Sequence, residues 1–260
     1  MFNYIMRTQY EGTRYFGWQI QKELPTIQGE INRILEKLTC SDQIYSIGSS
    51  RTDAGVHCLD QVVKVSLPVE FCAKKLEYAM NGLLPKDIRV SSIITCEESF
   101  HPLRHVETKE YAYYFHDSRY NPVIANNFVA KYPYRDLDFG LLKDACNALI
   151  GKWDFKNFYC TGSVVHSTHR EILSCSIGIE NQSLPLKLCL PEVIVFKIEG
   201  TGFLKQMVRL IMGSLWAIAT KKKELFELKD ALSGELPSGR KLGVVAPAKG
   251  LFLTKTNISY

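Results

Sequence analysis

The chain has 260 residues, 46% of them hydrophobic and 23% charged, with a formal net charge of +5. That much apolar material can build a core without disulfide or metal staples. No apolar run approaches the roughly 20 residues that span a bilayer, and a mildly basic balance permits a polyanionic partner without demanding one. The eight cysteines, of which Cys189 is the last, form no C-x-x-C pair, so buried reduced thiols are expected rather than a zinc or redox motif. The N-terminus, M-F-N-Y-I-M-R-T, has no charged stretch followed by an apolar one, and no secretory signal is expected.

In chain order, F-N-Y-I-M-R-T-Q-Y alternates loosely and reads as a strand that stops at the turn Glu11-Gly12-Thr13. Ile27, Ile31, Ile34, Leu35 and Leu38 recur at helical spacing behind Thr26, a natural N-cap. A strand over 43–48 leads into the polar cluster S-S-R-T-D-A-G-V-H. Gln61 to Val65 reads as a strand, Ala73 to Met80 as a helix, and Arg89 to Thr95 as a strand. Few periodic apolar positions occur over 100–108, so a junction is expected there, dividing the chain into halves at 1–105 and 106–260. Beyond it, Tyr111 to Phe115 is strand-like, Leu137 to Ile150 is an amphipathic helix, and Arg170 to Ile179 and Val193 to Ile198 are strands. Phe203 to Ala219 reads as an apolar helix introduced by Glu199-Gly-Thr-Gly202, and Leu251 to Leu253 as a short final strand. The order lacks a strict βαβ rhythm, which predicts an α+β fold with a mixed or antiparallel sheet flanked by helices.

Three segments carry residues suited to chemistry. In Arg51-Thr52-Asp53 an arginine beside a carboxylate keeps it ionised, as a nucleophile or general base requires, and Ala54-Gly55 supplies a tight turn. A solvated surface turn is the competing reading. A metal set of Asp53, His57 and Asp60 has workable spacing, but it runs into a strand rather than a ligand-bearing helix. The second segment, His101 to Tyr120, interleaves Tyr111, Tyr113, Tyr114 and Phe115 with Arg104, His105, Lys109 and Arg119. Aromatic faces stack on bases and cations hold phosphates, although the same tyrosines suit a core strand. The third, G-T-G-F-L-K-Q-M-V-R from Gly200 to Arg209, lacks the spacing of a phosphate-binding loop. Its Arg209 stands among apolar residues, where a charge needs a partner. Asp53 is a candidate for that partner, and a wet face of the helix is the alternative.

Together these segments resemble the TruA-type tRNA pseudouridine synthase family. The resemblance runs through Tyr10–Gln21 (Y-E-G-T-R-Y-F-G-W-Q-I-Q), Gly48–His57 (G-S-S-R-T-D-A-G-V-H) and Asn81–Ile88 (N-G-L-L-P-K-D-I). It continues through Phe100–Tyr113 (F-H-P-L-R-H-V-E-T-K-E-Y-A-Y), Trp153–Phe158 (W-D-F-K-N-F), Gly200–Arg209 and Ala246–Leu253 (A-P-A-K-G-L-F-L), nearly the whole chain. It implies the pseudouridine synthase fold with an RNA-binding cleft between the halves, the N-terminal one bearing Asp53 and the C-terminal one bearing Tyr111 and Arg209. Asp53 matches the catalytic aspartate, Tyr111 the tyrosine that stacks on the target uracil, Arg51 an arginine that holds the base out of its helix, and Arg209 the arginine that pairs with the carboxylate. The implied activity is isomerisation of uridine to pseudouridine in the anticodon stem-loop of tRNA, by a cytoplasmic homodimer that needs no cofactor or metal.

Three positions depart from the family pattern: Ser50 for glycine, Trp153 for histidine and Lys205 for an aromatic residue. Lys22, Arg33, Lys37, Lys74, Lys75, Lys221, Lys222 and Lys223 are candidate phosphate contacts. Two rival readings are a non-catalytic RNA-binding protein on the same fold and a small-molecule hydrolase using Asp53. The second lacks a placed second carboxylate or a nucleophile elbow.

Overall fold

The computed structural model describes residues 1–116, 123–132, 137–160, 165–180, 192–237 and 239–259. Arg119, Tyr120 and Cys189, named above, lie outside the described residues. The chain divides into two compact units, Met1–Glu107 with Phe252–Tyr260, and Thr108–Leu251.

In the first unit β1 (Phe2–Tyr10) runs antiparallel to β3 (His57–Leu67) on one side and to β4 (Ile88–Thr95) on the other. The register carries Phe2 opposite Leu67 and Tyr10 opposite Cys58, with an irregularity between Thr8 and Tyr10. The far edge of β3 is shared by β2 (Tyr45–Gly48), antiparallel along Val63–Ser66, and by β10 (Leu251–Ile258), parallel at His57 and Cys58. The sequence marks only the core of β3 and the start of β10. His57 enters the ladder because it faces Phe252 of β10, a partner far along the chain, whereas Cys58 pairs with both Leu253 of β10 and Tyr10 of β1.

The helix expected after Thr26 is α1 (Ile27–Thr39). Thr26 Oγ1 accepts from the Gly29 N–H at 3.2 Å, and Ile27, Ile31, Ile34 and Leu35 are buried. Its neighbour α2 (Ala73–Leu83) buries Leu76 and Met80 and packs on β4. On another side of the strands Ile5 and Val62 meet Phe100. The central strands are thus covered on both faces, which is why β3 reads as a nearly continuous apolar run rather than an alternating one.

The second unit repeats the antiparallel logic. β5 (Val106–His116) pairs with β9 (Val193–Gly200), β9 with β8 (His169–Glu180), and β8 with β7 (Gly151–Asp154). The two-residue β6 (Ala130–Lys131) lies parallel on β5. Against β8 packs α3 (Phe139–Leu149), N-capped by Asp138, and against α3 pack α4 (Met207–Ala219) and α5 (Leu225–Ser233). The expected α+β class with mostly antiparallel strands and flanking helices is therefore observed. Among the described residues no helix is long and apolar enough to cross a membrane.

The long apolar helix expected from Phe203 begins at Met207, because Gln206 adopts a left-handed φ of 61° and ends the preceding loop. β6, β7 and α5 were not expected. For α5 a signal existed: the Glu224 N–H donates to Glu227 Oε2 at 3.0 Å, and Gly234 closes the helix at φ 83°, a capping box and a glycine terminus.

One large side chain organises this core. Trp216 of α4 is 1% exposed and meets Tyr113, Phe115 and Tyr132 edge-on at centroid distances of 5.8, 5.5 and 5.6 Å. Edge-to-face geometry adds to plain area burial. Trp216→Ala is expected to lower unfolding free energy by about 3–5 kcal/mol, read as a shift in the urea midpoint.

Candidate active site

The Arg51-Thr52-Asp53 segment forms the loop between β2 and β3. Ser49, Ser50 and Thr52 are buried, Asp53 is half-buried and Arg51 is exposed. The loop is closed by bonds from Ser49 N–H to Val62 O at 2.8 Å and from Val56 N–H to Asp53 O at 3.2 Å. The turn itself needs Gly55, at φ 76°.

What holds this loop is the Tyr10–Gln21 segment. The Trp18 N–H donates to Thr52 O at 3.1 Å, and the Gly55 N–H donates to Tyr15 O at 3.2 Å. The Tyr10 hydroxyl lies 2.8 Å from Thr52 Oγ1 and donates to Gln61 Oε1 at 3.1 Å. Two glycines permit the approach. A Cβ on Gly12 would fall on the backbone carbonyl of Val56, and one on Gly17, itself at φ 91°, would stand 2.5 Å from Thr52 O. The Asn81–Ile88 segment completes the assembly. Asp87 accepts from Arg14 Nε at 2.8 Å and from the Tyr15 hydroxyl at 2.7 Å, while its carbonyl takes the Glu11 N–H at 2.9 Å. Burial, reinforced by the Asp87 bond, pushes the Tyr15 hydroxyl well above its ordinary pKa, so it stays a donor.

The nearby acid and imidazole serve the fold. His57 is 1% exposed, accepts the Gly12 N–H through Nδ1 at 3.1 Å and stacks on Phe252 at 4.5 Å. Asp60 accepts from Arg7 Nη1 at 2.9 and 2.8 Å and from the Thr256 N–H at 3.1 Å. Among the described residues no group of three or more His, Cys, Asp or Glu is placed to hold a metal ion. Ser50 departs from the family glycine without strain: it is not among the positive-φ residues, so it needs no glycine freedom.

Tyr111 and Arg209 belong to the second unit. Tyr111, Tyr113 and Phe115 share one face of β5. The last two are absorbed by the Trp216 cluster, whereas Tyr111, 8% exposed, meets the edge of Phe203 at 5.1 Å and 79°. Phe203 is free to do so because the helix starts only at Met207. The aromatic segment is therefore divided, mostly core, with one ring set apart. Arg209 lies in the first turn of α4, half-buried. Its Nε donates to Ala246 O at 2.7 Å, and its own carbonyl accepts the Ala246 N–H at 3.2 Å. The Tyr113 hydroxyl donates to Pro247 O at 2.9 Å; burial raises its pKa against the opposing pull of Arg209. The Ala246-Pro247 segment is thus what aims Arg209.

Of the other departures, Trp153 stands opposite Arg170 in the β7–β8 register, and Lys205 is exposed. Among the surface cations, Lys22 pairs with Glu23 at 3.7 Å, Arg33 with Glu30 at 2.6 Å, Lys221 with Asp138 at 3.9 Å and Lys223 with Glu227 at 2.8 Å. Such exposed pairs are weak and exchangeable. The anchoring roles of Gly12, Gly17 and Asp87 were not read from the sequence, although all three lie within the quoted motifs.

A half-buried aspartate thus sits on a loop locked by two glycines in the first unit, while the aromatic and arginine elements belong to the second. A family model described as tRNA pseudouridine synthase matches residues 145–257. The chain is 34% identical over 255 residues to tRNA pseudouridine synthase A of Thermoanaerobacter sp. (strain X514), covering 98% of this chain and 99% of that protein. It is 35% identical over 258 residues to that of Thermodesulfovibrio yellowstonii, covering 98% and 99%. For Mesoplasma florum the identity is 33% over 258 residues, covering 98% of each. The chain belongs to the tRNA pseudouridine synthase A family.

Gly17→Ala is expected to cost about 1–3 kcal/mol through backbone strain and close contact. It should also speed amide exchange in residues 51–56 ahead of the rest of the unit, measured by hydrogen–deuterium exchange.

Proposed function

We propose that this protein isomerises uridine to pseudouridine in tRNA, within the anticodon stem-loop. The observation that carries the reading is similarity to the synthases above over nearly the full length, 34% identity across 98% of this chain, combined with the Arg51-Thr52-Asp53 loop. In the reaction the N1–C1′ bond breaks, the uracil turns while held, and C5 bonds to C1′. The proton lost from C5 is balanced by one gained at N1, so the net change is nil.

A base stacked in a helix is inaccessible, and extruding it costs a few kcal/mol. Arg51, exposed on its loop, is the arm that holds the base out, and Tyr111 is the ring on which the uracil stacks. Asp53 is the group that acts on the nucleotide. Arg209, its guanidinium steadied by Ala246 O, matches by the family resemblance the arginine that pairs with that carboxylate. The family resemblance supports a cytoplasmic homodimer with each RNA touching both subunits.

Asp53→Asn, nearly isosteric but uncharged, is expected to retain RNA binding and to abolish pseudouridine formation on an anticodon-arm RNA, mapped by position. Conversion by this variant, or binding without conversion by the wild type, would sink the assignment; the second outcome would favour an RNA-binding platform. If Lys37, Lys74, Lys75 and Lys222 track the backbone, RNA affinity should fall steeply with salt, by about 0.7–0.9 logarithmic units per decade of salt for each phosphate neutralised. Fluorescence anisotropy across a salt series reads that slope.

A further inference from the structure

Within the segment that braces the Asp53 loop, one aromatic ring is turned outward. Tyr15 and Trp18 are buried, whereas Phe16, between them, is 47% exposed. Its neighbours grip the loop. The Tyr15 carbonyl takes the Gly55 N–H at 3.2 Å, the Trp18 N–H reaches Thr52 O at 3.1 Å, and a Cβ on Gly17 would stand 3.1 Å from the carbonyl carbon of Asp53. Phe16 is therefore bonded directly to a residue that lies against the backbone of the aspartate. Its own backbone is fixed on both sides: the N–H donates to Pro25 O at 2.9 Å, and the carbonyl accepts from Gln21 Nε2 at 2.7 Å. The Gly17 carbonyl accepts the Ile27 N–H at 3.1 Å, which ties the stretch to the start of α1.

A single exposed apolar side chain is ordinary on a protein surface. What sets Phe16 apart is a ring held on a rigid backbone beside the carboxylate assigned to the chemistry. Extruding a base also creates a need for such a ring. When the target leaves the stack, the bases on its two sides each lose a stacking partner. Arg51 and Tyr111 are both assigned to the extruded nucleotide, so neither serves those bases. Every base has a π-face, and an aromatic side chain along the path of the strand provides a platform for it. A phenyl ring carries no donor or acceptor, so it offers area and stacking without reading a base edge.

We propose that Phe16 is the stacking platform for a base adjacent to the target uridine in the bound RNA. The inference rests on the functional reading above. The occupant is a nucleobase because the ring is continuous with the loop of Arg51 and Asp53, to which the target nucleotide is assigned. Stacking on Phe16 would hold the strand in place while the target base is out and turning. Because such preferences follow stacking strength, a purine at the flanking position would be bound better than a pyrimidine.

The test uses the full chain and anticodon-arm RNAs that carry 2-aminopurine, a base whose fluorescence is quenched by stacking, on one or the other side of the target. On binding the wild type, the probe at one flank is expected to stay quenched although its neighbour has left the stack. Phe16→Leu, which keeps apolar volume without the ring, should brighten that probe. It should also raise KM, and Kd by fluorescence anisotropy, roughly tenfold, the lower end of what base–aromatic stacking is worth, with the loss falling on KM rather than kcat. Phe16→Trp should restore both readouts. An abasic site at the same flank should weaken the wild type and erase its advantage over Phe16→Leu, because the ring then has nothing to stack on. If the Phe16→Leu loss is the same on abasic and intact RNA, the residue acts only on the fold and the proposal is overturned. Brightening of both probes on the wild type overturns it without any variant. A wild type that converts uridine yet shows either result refutes the platform alone. A wild type that makes no pseudouridine, but keeps the probe quenched and loses affinity with Phe16→Leu only on intact RNA, refutes the functional reading and leaves the platform standing.

Discussion

Everything around Asp53 depends on one close approach of backbone to backbone. The loop of Arg51, Thr52 and Asp53 lies against the Tyr10–Gln21 segment where a Cβ on Gly12 or Gly17 would collide with its carbonyls. Packed interiors resist even small displacements, so this contact fixes the height and tilt of the aspartate. The hydrogen bonds from Trp18, Gly55 and Tyr10 hold the approach laterally. Asp87 then pins the outer end of the opening segment through Arg14 and Tyr15. A single exposed salt bridge of the Arg14 kind is worth little. Here it is joined to a half-buried tyrosine bond and a backbone bond, and the three act on one short loop.

The second unit solves a similar problem by packing. A mostly buried helix, α4, is anchored through Trp216 to the aromatic rings of β5 and to Tyr132. Its first turn presents Arg209, whose carbonyl and guanidinium are both bound by Ala246. Gly213 and Gly243 permit this, since a Cβ on either would enter the backbone of the other's segment. Both units use the same device, glycine contacts that lock a loop or a helix end.

Local patterns made a good part of this legible. The 3.6-residue spacing of Ile27, Ile31 and Ile34 behind Thr26 marked α1 to within a residue, because an amphipathic face and a cap are properties of neighbours in sequence. The Arg51-Thr52-Asp53 triplet and the lone Arg209 stood out because charge beside apolar sequence demands a partner. By contrast, the aromatic run at Tyr111 to Phe115 was ambiguous. Which ring joins the core depends on Trp216 and Phe203, which lie about 90 to 105 residues away in the chain. His57 looked chemical in the sequence; its bond to Gly12 and its stacking on Phe252 make it structural. α4 starts four residues after Phe203, where its apolar pattern begins, because a left-handed Gln206 has no sequence signal comparable to glycine.

The sequence by itself determined the α+β class, most of the elements and the identity of the charged and aromatic residues around which a functional reading could be built. Those follow from periodicity and residue chemistry, which are local. The tertiary structure alone decided that Gly12 and Gly17 bear the Asp53 loop, that the last strand joins the first unit, and that Ala246 aims Arg209. Each of these is a contact between segments far apart in the chain. Their pairing is set by backbone register and steric fit, which no single stretch of residues encodes.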